Sequence, residues 1–229
     1  MALTLYYDLM SQPSRAVYIF LQINNISFTA KPVALRNDEH YTDWFKKINP
    51  WCVVPVIDDD GFILTESVAI LKYLAVKHNV PDHWYPQTDL KAQARIDEYM
   101  SYQHLNTRYD CTILFRELVR LPTMNKAPIQ WHLVENERNQ VRGTVSHLAS
   151  YFLKDDKPFL CGSDISIADL LCVCELMQLI TCCEEKLYES NPVIKTWVDR
   201  VRANIDSVLE EAHQIVYRVR SKFSMQNKL

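Results

Sequence analysis

The apolar positions change period along the chain, and each change predicts an element. Leu3, Leu5 and Tyr7 alternate with Thr4 and Tyr6, the period of two of a strand. Pro13 fits the first turn of a helix, where its missing N–H costs nothing. Ala16, Val17, Phe20 and Leu21 recur behind it at helical spacing until Asn24 and Asn25. Residues 26–33 read as a second strand, with Pro32 setting its end at an edge. One helix between two strands makes those strands parallel. Residues 38–48 form a short helix with Trp44, Phe45 and Ile48 on one side, His40 in its first turn, and Asn49 and Pro50 at its close. Residues 53–57 are the third strand, in which Pro55 marks either an edge or a cis bond. A turn from Asp58 to Gly61 returns the chain as an antiparallel fourth strand over 62–65. Glu66 and Ser67 then open a helix over 68–78.

Past this point no strand pattern recurs. Pro81 and Pro86 sit in an aperiodic linker over 81–89. Helical stretches follow over 90–121, ended by Pro122, and over 129–152. Ser166 and Asp169 have capping-box spacing, with Ile165 as a staple, and open an apolar helix to residue 180. Its apolar faces make it the expected most buried element. Asn191 and Pro192 start another helix, with Trp197, Val198 and Val201 inward, and 206–222 is the last. The fold class is therefore an α/β unit over 1–80, in the order β-α-β-α-β-β-α around a mixed four-stranded sheet, followed by an all-α unit over 90–229.

Composition narrows the partners. The 229 residues carry 48% hydrophobic and 23% charged positions and a net charge of −3, which gives no electrostatic reason to expect nucleic acid or anionic membrane. No apolar run approaches the roughly 20 residues of a membrane helix, and the N-terminus has no basic-then-apolar leader pattern. The seven cysteines are odd in number and lack a Cys-x-x-Cys pair. They read as reduced thiols packed as small hydrophobes. A zinc site from Cys172, Cys174, Cys182 and Cys183 is the sharper alternative, and its spacing is wrong for the usual knuckles.

The candidate chemistry lies at helix starts. Ser11 stands just before the first helix, where unpaired N–H groups and the positive end of the dipole gather. Its hydroxyl can cap the helix or donate to a bound anion. Ser14 competes by the same argument. Ser67 is a second hydroxyl at a helix start that follows a strand. The element order resembles the thioredoxin-like fold, in which a redox cysteine begins the first helix beside a cis-proline loop. Ser11-Gln12-Pro13-Ser14 stands there instead. Without a thiol this unit does not run its own disulfide exchange, but it can bind and activate a thiol compound from outside.

Six segments carry a closer resemblance: Tyr-Asp-Leu-Met-Ser-Gln-Pro-Ser-Arg-Ala, Val-Pro-Val, Leu-Thr-Glu-Ser-Val-Ala-Ile-Leu-Lys-Tyr-Leu, Trp-Tyr-Pro, Ala-Arg-Ile-Asp-Glu-Tyr and Ile-Ser-Ile-Ala-Asp-Leu. Together they resemble the cytosolic glutathione transferases, theta class, over nearly the full length. The resemblance implies conjugation of glutathione to hydrophobic electrophiles such as halides and epoxides, with organic peroxides as a further class, in detoxification. Glutathione is then a co-substrate and no prosthetic cofactor or metal is needed. A cytoplasmic homodimer is implied as well.

The same resemblance assigns residues. Ser11 donates to the glutathione sulfur and favours its thiolate, the nucleophilic form. Tyr6 and Tyr7 are rivals, since other classes use an N-terminal tyrosine. Glu66 and Ser67 hold the γ-glutamyl end, the backbone of Val54 before Pro55 pairs with the cysteinyl unit, and His40 meets the glycyl end. Val53 stands where many theta members carry lysine, which weakens the expected grip on the glycyl carboxylate. Arg108 aligns with an arginine aimed at the active site, and a solvated helix arginine is the equal alternative. Met10, Tyr109 and Cys111 are candidates for the electrophile pocket, though Tyr109 and Cys111 also suit helix packing. The tail after Lys222 is short, which implies a more open pocket. A non-catalytic glutathione or hydrophobic-ligand binder on the same fold, or an interaction module, is the competing reading.

Overall fold

In a computed structural model, which describes residues 3–227, the first part of the chain folds as β1 (Leu3–Tyr7), α1 (Gln12–Ile23), β2 (Thr29–Pro32), α2 (Asp43–Ile48), β3 (Val56–Asp59), β4 (Phe62–Leu64) and α3 (Ser67–Lys77). The sheet runs β2-β1-β3-β4, with β2 parallel to β1 and both other pairings antiparallel. The expected thioredoxin-like order and mixed sheet are therefore present. Strand alternation sorts the side chains: Leu3, Leu5 and Ile57 point into the main core with α1 and α3. Tyr6 and Val56 point the other way, where Val33, Val54 and the α2 residue Phe45 form a smaller cluster.

Several boundaries differ from expectation. The third strand begins at Val56, not residue 53, because the Val54–Pro55 bond is cis and turns the backbone out of the ladder. The turn is tighter than expected, with Asp60 at φ 56° and Gly61 at φ 92°, the geometry of a two-residue hairpin. Residues 38–48 are not one helix. Asp38 adopts φ 57°, a 3₁₀ turn Glu39–Tyr41 holds His40, and α2 starts only at Asp43.

The rest is helical: α4 (Leu90–Gln103), α5 (Thr107–Phe115), α6 (Leu121–Met124), α7 (Trp131–His147), α8 (Ile167–Gln178), α9 (Lys186–Glu189) and α10 (Pro192–Asn227). The expected single stretch over 90–121 breaks between α4 and α5, where Asn106 takes φ −127° and ψ −94°. Its side-chain amide donates to the Tyr102 carbonyl four residues back, at 2.8 Å. Asn204 does the same to Arg200 beside the kink of α10 at Ile205. In both places the asparagine side chain bonds the carbonyl four residues back, the acceptor that its own main-chain N–H takes in a continuous helix.

Every residue of α8 is buried, as its apolar pattern predicted. Cys172 and Cys174 are buried there, and Cys182 in the 3₁₀ turn that follows, as small hydrophobes, and burial raises the Cys174 thiol to about 12. The main core is continuous from the sheet into the helical part, since α1 is buried along most of its length and packs on both α8 and α10. Among the described residues no helix is long and apolar enough to cross a membrane.

Candidate active site

Strand register gathers the candidate residues at one end of the sheet. Tyr6 pairs with Val56, and Ile57 with Leu64, so the C-terminal ends of β1 and β4 meet the start of β3. Tyr7 pairs with Pro32, which brings the end of β2 to the same place. The Ser11 loop, the cis-proline turn, the Glu66–Ser67 helix start and the turn holding His40 all leave the sheet there.

The Ser11 loop is built by Asp8. One carboxylate oxygen accepts the Met10 N–H at 2.8 Å, and the other accepts the Leu35 N–H at 2.9 Å. The Asp8 carbonyl takes the Ser11 N–H at 2.9 Å. Ser11 is then the N-cap of α1, with extended φ and ψ, and its Oγ accepts the Ser14 N–H at a long 3.4 Å. The hydroxyl is partly exposed and its own proton is free to donate. Ser14 is fully buried with an unpartnered Oγ, so it faces the interior rather than a ligand. Tyr7 stacks on Tyr18 at 5.4 Å, while Tyr6 packs on Phe45 and Trp44. Burial raises both phenols, foremost among the causes.

Across from Ser11, Pro55 and Val54 are buried in the cis turn. Asn49, fully buried, shapes the loop before it: its amide donates to the Val53 carbonyl at 2.8 Å and its oxygen accepts the Trp51 N–H at 3.0 Å. Val53 itself is 47% exposed. Glu66 holds φ 65°, a strained value for a non-glycine, and its exposed carboxylate makes no cap to α3. Ser67 is the buried first residue of that helix. His40 is buried against Tyr41, with Nδ1 enclosed and unpartnered. Burial chiefly lowers its pKa, so the ring is neutral at pH 7.

Arg108 reaches toward the same region from α5. Its Nη1 donates to Glu175 Oε1 at 2.9 Å, with the arginine side chain 35% exposed and the glutamate fully enclosed. The fork's remaining nitrogens are open to other partners. One turn on, Thr112 Oγ1 accepts from the Gln12 amide at 3.2 Å, so this face of α5 packs on the start of α1. The sequence reading missed Asp8, Gln12, Arg15, Asn49, Thr112 and Glu175. Only Thr112 had a local signal, four residues after Arg108 on the same helix face.

The electrophile candidates divide. Met10 lies in the Ser11 loop and is partly exposed. Cys111 is fully buried, and burial raises its thiol pKa, so it packs the core and touches no electrophile. Tyr109, 54% exposed, turns to a cavity of about 430 Å³ between α5 and α7, lined also by Tyr102, Leu105, Asp110, Glu137 and His147. No residue of the Ser11 loop lines that cavity. Between the Ser11 loop and α5, the contact the structure shows is Gln12 on Thr112, one turn from Arg108.

Comparison with known proteins bears on this arrangement. Residues 11–77 match the family model of the glutathione S-transferase N-terminal domain, and residues 113–204 match that of its C-terminal domain. Glutathione S-transferase theta-3 of Mus musculus is 41% identical over 222 residues, covering 96% of this chain and 90% of that protein. Glutathione S-transferase theta-1 of Homo sapiens is 40% identical, covering 96% and 91%. A human theta-class glutathione transferase, solved in complex with the glutathione conjugate of 1-menaphthyl sulfate, superposes with a TM-score of 0.93 at 37% identity, over 99% of this chain and 92% of that one. Sheet order, cis-proline turn and helix-start serine agree with that kinship: the chain belongs to the glutathione S-transferases and is a theta-class enzyme of that family.

Proposed function

We propose that this end of the sheet binds glutathione and that Ser11 activates its thiol. The carrying observation is the Ser11 hydroxyl, partly exposed at a helix N-terminus with its proton uncommitted. A donor there, together with the helix dipole, lowers the thiol pKa by favouring the anion. The thiolate then forms a sulfur–carbon bond to the electrophile: a halide departs with its electron pair, whereas an epoxide's carbon–oxygen bond opens and the oxygen, kept on the product, takes a proton from water. The half-buried phenols of Tyr6 and Tyr7, shifted upward, suit packing rather than this role.

The other contacts follow from charge and shape. Glu66 offers an unpaired carboxylate to the γ-glutamyl ammonium, and Ser67 offers a helix-start N–H and hydroxyl to the neighbouring carboxylate. Val54, beside cis Pro55, pairs with the cysteinyl backbone as an added strand does. His40 is neutral and meets the glycyl end as a hydrogen-bond donor rather than a cation. Arg108 steadies the departing group with the part of its fork that Glu175 leaves free. The substrates are hydrophobic halides and epoxides, glutathione is a co-substrate, no prosthetic group takes part, and the working form is a cytoplasmic homodimer. Residues 1–80 form the glutathione unit and 90–229 the helical unit, joined by 81–89.

Thiolate absorbance of bound glutathione, titrated on wild type and Ser11→Ala, tests the reading alongside turnover of a halide and epoxide panel. The wild type ionises glutathione near neutral pH and the variant does not. Binding without ionisation or turnover in both proteins identifies a ligand carrier on this scaffold instead.

A further inference from the structure

Arg15 is fully buried, which is rare for a cation, and no carboxylate oxygen lies within 4.0 Å of it among the described residues. It is held by neutral acceptors. Nη1 donates to the carbonyls of Leu9 at 2.8 Å and Met10 at 3.3 Å. Nη2 donates to the Cys174 carbonyl at 3.0 Å and to Gln178 Oε1 at 2.6 Å. Nε is enclosed without a partner. The guanidinium thus ties the loop carrying Ser11 to α8. It also sits one peptide behind Ser11 as a charge with no direct counter-ion. Glu175 and Asp8 act on it only from further off. Both are engaged elsewhere, Glu175 by Arg108 and Asp8 by the Met10 and Leu35 N–H groups.

Two physical effects follow. A carbonyl turned toward Arg15 presents its negative end to the interior and not to the ligand side of the loop. A buried cation is poorly screened, so it favours an anion formed nearby more than an exposed one does. Resting on the reading of Ser11 as the thiol-activating group, we propose that Arg15 is a positioning residue of this reaction. It fixes the Leu9 and Met10 carbonyls away from the sulfur and supplies a buried positive charge that favours the glutathione thiolate.

The test separates charge from packing. Arg15→Met removes the cation, and Arg15→Lys keeps it without the fork. Since a variant at a buried arginine can fail to fold, Gln178→Glu provides an independent route. It places a carboxylate against the guanidinium and neutralises it in place, with every arginine contact retained. Gln178→Leu removes that contact and adds no charge. The readout is the pKa of the thiol of bound glutathione, with the KM for glutathione measured beside it. Gln178→Glu raises the thiol pKa by about one unit, roughly a tenfold loss of thiolate at a pH below it. KM stays within about threefold, as uniform binding is untouched. Gln178→Leu leaves the thiol pKa in place, and Arg15→Lys recovers most of what Arg15→Met loses. An unmoved thiol pKa in Gln178→Glu overturns the inference, as does an equal shift in Gln178→Leu, which assigns the effect to packing. If Ser11→Ala shifts the thiol and Gln178→Glu does not, the Arg15 role falls while the role of Ser11 stands. If the wild type never ionises glutathione, both fall.

Discussion

Two serines begin two helices in this chain, and their surroundings are opposite. Ser11 opens α1 at one end of the sheet, partly exposed, with only a 3.4 Å bond to its Oγ. Ser166 opens α8 in the interior, where its hydroxyl and its main-chain N–H both donate to Asp169 Oδ2 at 2.9 Å. The other Asp169 oxygen accepts from Leu160 N–H at 3.0 Å and from Trp197 Nε1 at 2.8 Å. One start is closed by its own chain, and the other is left with a donor and the helix dipole facing outward. A capping serine serves folding when the chain commits its proton, and serves a ligand when it does not.

The largest separation between the two comes from substitution at each. Ser11→Ala lowers turnover by roughly 10²-fold, as loss of one preorganised donor does. It costs folding only a few tenths of a kcal/mol, because the cap bond is long. At the closed start, Asp169→Ala removes the acceptor for Ser166, Leu160 and Trp197 together and costs about 3 kcal/mol. Denaturant unfolding and turnover per folded molecule are measured on both. A stable Asp169→Ala, or a Ser11→Ala that unfolds while the folded fraction stays active, dissolves the contrast.

The open start was legible in the sequence because its signals are local. Strand period, proline at the helix entry and serine before it lie within a few residues. The supports behind it were not legible, because their partners are far away in the chain. Gln12 meets Thr112, and Arg15 meets Cys174 and Gln178, only after the α/β part packs on α5 and α8, and Arg108 meets Glu175 only after α5 packs on α8. Arg108 gave even alternatives, solvated or functional, because no local pattern reveals a buried acid 67 residues on. The sheet order followed from element order, whereas β3 began late because a cis bond leaves no period behind it. Leu90 to Leu121 read as one helix because asparagine breaks a helix by its side-chain bond, not by apolar pattern.

The interior behind the open start also sets a pH dependence. His213, on α10, is buried beside Arg15, its Nδ1 bonded to the Leu209 carbonyl at 2.8 Å and its Nε2 unpartnered. Burial first, then Arg15 and Arg202, lower its pKa well below 6.5, and only the Leu209 bond opposes them. The unfolded chain therefore binds a proton near pH 6.5 that the folded chain refuses. Stability is full above that pH and falls as pH drops below it, with a slope approaching about 1.4 kcal/mol per pH unit. His213→Gln flattens the dependence of Tm on pH between 7 and 5. An unchanged slope assigns the acid sensitivity to other groups.

The smallest effect belongs to the open end, where water screens every charge. Val53 lies there at 47% exposure, in the loop that Asn49 shapes before the cis-proline. Residues 49–55 carry no basic side chain, and burial lowers the pKa of His40. Val53→Lys adds a basic side chain there. An exposed ion pair is worth about 0.2–1 kcal/mol, so KM for glutathione falls by at most roughly fivefold at low ionic strength. The gain shrinks as salt rises, since surface charges more than about 10 Å apart are screened at 0.1 M. The thiol pKa at Ser11 stays fixed, because the new charge is solvated and the Arg15 charge is not. A KM that does not move at low salt removes Val53 from the glycyl end. A thiol pKa that moves with it places the exposed loop, rather than the buried guanidinium, in electrostatic contact with the sulfur.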